Sequence, residues 1–441
     1  MNSVLSSTAW ISGYRMLRMV AAFGVGILVA RYLGPDAYGQ LSYAVALIMI
    51  FLGVAGPGLK DVLTRRLNRQ PGRQADFIWA GFRLMLGMNI VLLAAALLIV
   101  LLLRPEAPLI WAMTAIIGLG NAFRAFEAFE LLFLYRLQMA KTVLVQATSF
   151  SITAASKLLL IYAGVDVLWF AVAVGAELLL TGLGFWWLYR YRQGSEATAH
   201  SNYIPAGGRF RLEGALLRTS LPAIGGLAFT VLLFKIDQIM LGWLTNDAEV
   251  GFYAIAAQFS EYWMHLAAAL VISSYPGLLE AAKTFRPDFE RRFIRLTALL
   301  FYGGFLIAIP VWLSGEWIIT FFLGAEYQSS ADILRIHIWS LFFLFMMEAL
   351  KKWYVIENKL RSFLKLTFTA VLVNVGLNLW LIPAHAGIGA AWATVAAYSA
   401  AGSWLLLFFR DARPGGKLII SGILFPVLWL SGRLRKDDAA P

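Results

Sequence analysis

The 441 residues contain no cysteine, which excludes disulfides, thiolate metal sites and cysteine nucleophiles. Histidine is scarce too. His200, His265, His337 and His385 show no metal-ligand spacing, so no metal site is expected. Charge is the third scarcity: 14% of residues are Asp, Glu, Lys or Arg, against about 25% in a soluble chain. No polar stretch is long enough for a soluble catalytic domain. The longest, "RYRQGSEATAHSNYIPAGGRFRLEG" (190–214), has the Gly, Ser and charge content of a linker. What the chain has in excess is apolar surface, with 60% hydrophobic residues and a mean hydropathy of +0.72. That balance describes one polytopic membrane protein rather than several soluble domains.

A helix crosses the hydrocarbon core with about 20 apolar residues. By that measure spans are expected at 8–32, 38–59, 77–103, 108–134, 142–162 and 166–189. A second set is expected at 216–243, 251–278, 294–314, 331–353, 362–383 and 388–409. The opening segment lacks a basic n-region and a small-residue cleavage site, and it reads as a retained first span. A further run, 418–432, is short and holds a proline, so it is expected at the interface.

Basic residues order these spans. With the N-terminus inside, 28 of the 37 Lys and Arg fall on inner segments, and only Arg31 and Arg104 fall on outer loops. The expectation is an even number of spans with the N- and C-termini both inside. Its +12 charge then serves topology and affinity for anionic membrane lipids, not nucleic acid.

Two pieces of sequence recur. "RYLGPDAYGQLSYA" (31–44) is echoed by "GWLTNDAEVGFYAIAAQ" (242–258), and each is a short turn between apolar runs. Gly34 is expected to end the first span in a left-handed cap, with Pro35 blocking its continuation. "SKLLLIYAGVDVLWFAVAVGAELLLTGLGFWWLYR" (156–190) is echoed by "LNLWLIPAHAGIGAAWATVAAYSAAGSWLLLFFR" (377–410). Six spans per half is an even number, so the halves share one orientation. The fold class expected is all-α integral membrane, with about 12 transmembrane helices in two six-helix bundles related by a parallel repeat. The divisions are 1–190 for the first bundle, 191–215 for a cytoplasmic linker, 216–410 for the second bundle, and 411–441 for an interfacial segment and basic tail.

Three stretches carry a family likeness: "ARYLGPDAYGQLSYAVAL" with "GPGLKDVLTRRLNR", "LLFKIDQIMLGWLTNDAEVGFYAIAAQFSE", and "WLIPAHAGIGAAWATVAAY". With them the chain resembles the polysaccharide transporters, O-antigen flippases above all, of the multidrug/oligosaccharidyl-lipid/polysaccharide exporter superfamily. One departure is Arg65 and Arg66, which stand where the family often places an Arg-Glu pair. The resemblance implies a flippase that moves undecaprenyl-pyrophosphate-linked oligosaccharide, and with it a role in lipopolysaccharide or exopolysaccharide biosynthesis and a polysaccharide polymerase as partner. The alternative within the superfamily is a cation-coupled multidrug exporter. A membrane enzyme would need a large outer loop, and none is present, so no covalent chemistry is expected.

Ionisable side chains inside spans are costly and mark function. Arg15 and Arg18 share one helix face, and Arg18 lies roughly 15 Å deep. Arg124, Lys157 and Lys235 are the other span cations expected to bind the pyrophosphate. Arg83 lies nearer the inner interface and is expected to snorkel. The span acids are Glu127, Glu130, Glu177, Asp237, Glu261 and Glu348, assigned to ion coupling or to pairing with these cations. Lys235 and Asp237 are two residues apart and cannot pair on one helix face. No cofactor is expected beyond a coupling H+ or Na+.

Overall fold

A computed structural model describes residues 2–53, 55–136, 138–196 and 206–430, and every regular element among them is helical. The first eight helices are α1 (Asn2–Leu52), α2 (Ala55–Arg69), α3 (Gln74–Leu103), α4 (Pro108–Ala122), α5 (Glu127–Tyr135), α6 (Met139–Ala163), α7 (Val167–Glu196) and α8 (Ala206–Leu244). Then come α9 (Asp247–Glu261), α10 (Met264–Thr284), α11 (Arg286–Leu323), α12 (Gln328–His337), α13 (Leu341–Ile356) and α14 (Leu360–Gly402). The short α15 (Arg413–Ile423) and α16 (Phe425–Leu430) close the described chain. By packing, the chain divides into two units, Met1–Ile239 and Met240–Pro441.

Nine helical stretches among the described residues are long and apolar enough to cross a membrane. Two of them, Met16–Arg69 and Leu360–Leu407, each hold two of the expected spans. The protein is therefore a multi-pass, all-α membrane protein. The eighth expected span, 251–278, is not a continuous helix. Its hydrogen bonding shortens at Tyr262 and Trp263, whose carbonyls accept from His265 (3.3 Å) and Leu266 (3.0 Å), and the chain splits there into α9 and α10. The described part of segment 418–432 ends at 430 and lies on α15 and α16 with one residue between them, both helices being too short to span. The linker residues 197–205 and the tail from 431 onward lie outside the described residues.

The two echoes fold alike within each unit. In the first unit, Gly34 turns the chain at φ 71°, ψ 171°. The φ is positive as expected, but the extended ψ is not that of a left-handed helical cap. In the second unit, Asn246 makes the matching turn in extended conformation, and its side chain accepts from the Glu249 backbone N at 3.0 Å. Each closing echo has its own positive φ, 67° at Gly164 and 46° at Ala386. In both units a side chain of the opening turn then binds the backbone just past that residue. Tyr32 donates to the Val165 carbonyl at 3.0 Å, and Glu249 accepts from the Gly387 N–H at 3.0 Å. The placement of these bonds corresponds in the two units, as a duplicated unit would leave it, while the turn angles and the sense of the bonds differ.

Close helix contact is set by small residues, as membrane packing requires. A Cβ on Gly120 of α4 would strike the Gly175 carbonyl of α7, and one on Gly182 would strike the Phe123 carbonyl. Gly120→Ala must therefore push two backbones apart. The expected loss is about 2 kcal/mol, read as a lower unfolding midpoint in detergent. An unchanged midpoint would contradict this packing.

Candidate charge sites in the first unit

α2 explains the first site. Its apolar residues Leu59, Val62, Leu63 and Leu67 recur at helical spacing and are buried against Phe77 and Phe129. The stretch 60–76, between the expected spans 38–59 and 77–103, is therefore helical as far as Arg69, with Lys60 inside a packed turn of α2. α4 ends at Ala122, and a 3-10 turn, Phe123–Phe126, separates it from α5. That break interrupts the expected span 108–134 and carries Arg124, with Glu127 and Glu130 just beyond it.

Lys60 Nζ donates to Glu127 Oε2 at 2.6 Å and to Glu130 Oε2 at 2.9 Å. Arg124 Nε donates to Glu127 Oε1 at 2.7 Å, and Gln146 of α6 donates to Glu130 Oε1 at 3.1 Å. All four carboxylate oxygens are engaged. Two cations meet two acids, so the cluster has no surplus charge, and it ties α2, α5 and α6 around the broken helix. Lys60 and Gln146 are the members that sequence reasoning missed.

The second site lies further along α6. Arg18 Nη2 donates to Glu177 Oε1 at 2.8 Å, and Lys157 Nζ stands 3.6 Å from Glu177 Oε2. The Arg18 guanidinium lies over the Phe150 ring, 5.5 Å from its centroid. Here two cations share one carboxylate, a surplus of one positive charge. Counted from the Gly34 and Gly164 turns, which the Tyr32 hydrogen bond holds at one end, Lys157 is about 10 Å in and Arg18 about 24 Å. Glu177, ten residues past Val167, is about 15 Å from the same end. The Arg18, Lys157 and Glu177 backbones thus stand at different heights along α1, α6 and α7, and their side chains bridge the difference.

One face of α6 links both sites. Gln146, Phe150, Thr153 and Lys157 recur at three- and four-residue spacing, and Gln146 and Lys157 lie three turns apart, roughly 16 Å. Thr142, Ser149 and Thr153 are buried while Leu144, Ile152 and Leu159 are exposed. α6 therefore turns its polar side inward, as a lipid-facing helix does.

The other expected residues lie elsewhere. Arg15 has its side chain outside the described set. Arg83 does not snorkel freely; its Nε donates to Glu213 Oε1 of α8 at 2.6 Å. Asp237 is buried and Lys235 half-buried on α8. In the second unit, Glu348 pairs locally with Lys351 at 2.5 Å, and Glu261 accepts from Tyr398 at 3.5 Å. No Asp, Glu, Lys or Arg is buried among the described residues of that unit. Its buried side-chain contacts join Ser260 with His337 (2.6 Å), Tyr253 with Thr394 (2.8 Å), and Asn378 with Asn374 (3.0 Å). Among the described residues no group of His, Asp or Glu is arranged to hold a metal ion.

Long apolar helices with small-residue contacts, broken spans and ion pairs between helices define a multi-pass, all-α membrane protein. Residues 4–281 match the family model described as polysaccharide biosynthesis protein, and the chain belongs to that family. Among solved structures, it is similar to the lipid II flippase MurJ in an inward closed conformation. The TM-score is 0.69 at 14% identity, covering 96% of this chain and 93% of that one. It is also similar to an inward-facing multidrug resistance MATE family transporter of the MOP superfamily, at TM-score 0.64, 14% identity and 96% of each chain. The eukaryotic MATE transporter AtDTX14 gives TM-score 0.58 at 12% identity, covering 95% of this chain and 99% of that one. At such identities the likeness is one of fold. No curated protein matches the chain.

Proposed function

We propose that the protein is a flippase. It moves undecaprenyl-pyrophosphate-linked oligosaccharide, an O-antigen or exopolysaccharide repeat unit, from the inner to the outer leaflet of the inner membrane by alternating access. Membership of the polysaccharide biosynthesis family supports the substrate class. The observation that carries the reading is the surplus positive charge of Arg18 and Lys157 over Glu177, deep in the first unit. A diphosphate crossing a low-dielectric core needs such compensation. A drug-sized cation would be repelled by it.

In this reading Arg18 and Lys157 contact the diphosphate, with Arg15 and Lys235 as further cations on α1 and α8. Arg124 acts through Glu127 by holding the broken helix. Glu127, Glu130, Asp237, Glu261 and Glu348 are the groups open to H+ or Na+ coupling or to cavity pairing. The chain lies N-in and C-in, with bundles 1–190 and 216–410 flanking the linker 191–215, and it delivers to a polysaccharide polymerase.

The reading is tested in a strain lacking the gene. Polyprenyl-linked oligosaccharide is expected to collect on the inner leaflet, with recovery on restoring the native chain and none with Lys157→Ala. Normal outer delivery together with altered drug sensitivity would favour the multidrug exporter.

A further inference from the structure

Glu177 differs from an ordinary ion-pair partner in how its two oxygens are used. One faces the Arg18 guanidinium at 2.8 Å and the other faces the Lys157 ammonium at 3.6 Å. The carboxylate thus bridges two cations that come from different helices, α1 and α6. It takes one of the five N–H donors of Arg18 and sits beyond hydrogen-bond length from Lys157. The Arg18 side chain is 39% exposed, so the bridge is open on that side, while the Phe150 ring supports the guanidinium without consuming a donor. A phosphate group offers the same feature, two anionic oxygens across a short span.

We propose that Glu177 is an internal surrogate for the substrate's phosphate. Its carboxylate occupies the Arg18–Lys157 pair in the unloaded protein, and a diphosphate oxygen replaces it there when substrate binds. The proposal rests on the flippase reading. Exchanging one anion for another keeps a negative charge between the two cations in both states, so neither state leaves them facing each other without an anion in low dielectric. The exchange also holds affinity down. The cations are available only in the fraction of molecules from which Glu177 has withdrawn, and apparent affinity falls by that fraction. Release then follows from Glu177 re-entering the pair, a property that a carrier needs and a storage site does not.

The test is binding of inorganic pyrophosphate to the full-length protein in lipid nanodiscs, measured by calorimetry. Glu177→Gln removes the competing anion and is expected to bind roughly 10- to 100-fold tighter than the native chain. Glu177→Asp keeps the charge but shortens the reach, and is expected to tighten binding by a smaller factor. Arg18→Gln is expected to abolish binding in either background. Equal or weaker binding by folded Glu177→Gln overturns the proposal, as does absence of binding by both the native chain and that variant. Should Glu177→Gln fail to fold, Glu177→Asp decides by the same criterion. No oligosaccharide is present in this measurement, so its failure is distinct from failure of the flippase reading, which is scored by leaflet distribution.

Discussion

Glu127→Ala is expected to lower the unfolding free energy by about 3 kcal/mol. The carboxylate receives Lys60 on one oxygen and Arg124 on the other, and its side chain is only 12% exposed. Its removal leaves two cations facing Glu130 alone, in a place that water does not reach freely. Lys60→Ala creates the mirror defect, two acids with one cation. The paired change Lys60→Ala with Glu127→Ala removes one charge of each sign. It is expected to cost clearly less than the two single changes together, because Arg124 and Glu130 remain balanced. Unfolding of the three variants in detergent, followed by tryptophan fluorescence, measures the coupling. Additive losses would show that the cluster is not one electrostatic unit.

Arg18→Ala is expected to reduce the rate of outward oligosaccharide delivery by roughly 10- to 100-fold, the loss that follows from one charge-assisted contact. Arg18 supplies a planar fork that matches phosphate oxygens, held over Phe150. Arg18→Lys keeps the charge without the fork, so partial activity is expected. The unfolding midpoint should fall less in Arg18→Ala than in Glu127→Ala, since the Arg18 side chain is 39% exposed. The two substitutions thus separate substrate contact from scaffold. An Arg18→Ala protein that delivers oligosaccharide at the native rate would remove Arg18 from the binding site.

The helices were legible because apolar runs of spanning length and turn residues such as Gly34, Gly164 and Asn246 act locally. The repeat was legible for the same reason, though its structural signature was not. Nothing in the sequence pairs Tyr32 with Val165 or Glu249 with Gly387, since those bonds depend on where separate hairpins meet. The break between α4 and α5 went unseen because Phe, Ala and Glu around Arg124 are ordinary helix residues, and Gly120 and Asn121 are weak signals alone. Arg18, Lys157 and Glu177 could each be picked out as costly charges in spans, but not as one site, because they lie on three helices. Lys60 was hidden by a different cause. It sits at the end of an apolar run, where a basic residue reads as the start of a loop. The 59, 62, 63 and 67 spacing of buried residues was the available signal that the helix continues.

One measurement with purified components tests outward delivery most directly. The native chain is reconstituted into liposomes carrying polyprenyl-pyrophosphate-linked oligosaccharide, and the fraction accessible to an external glycosidase is followed over time. Growth of the accessible fraction beyond that of protein-free vesicles, with little or none for Arg18→Ala, is the predicted result. A native protein that leaves that fraction at the protein-free level, across H+ and Na+ gradients of either direction, would contradict the account.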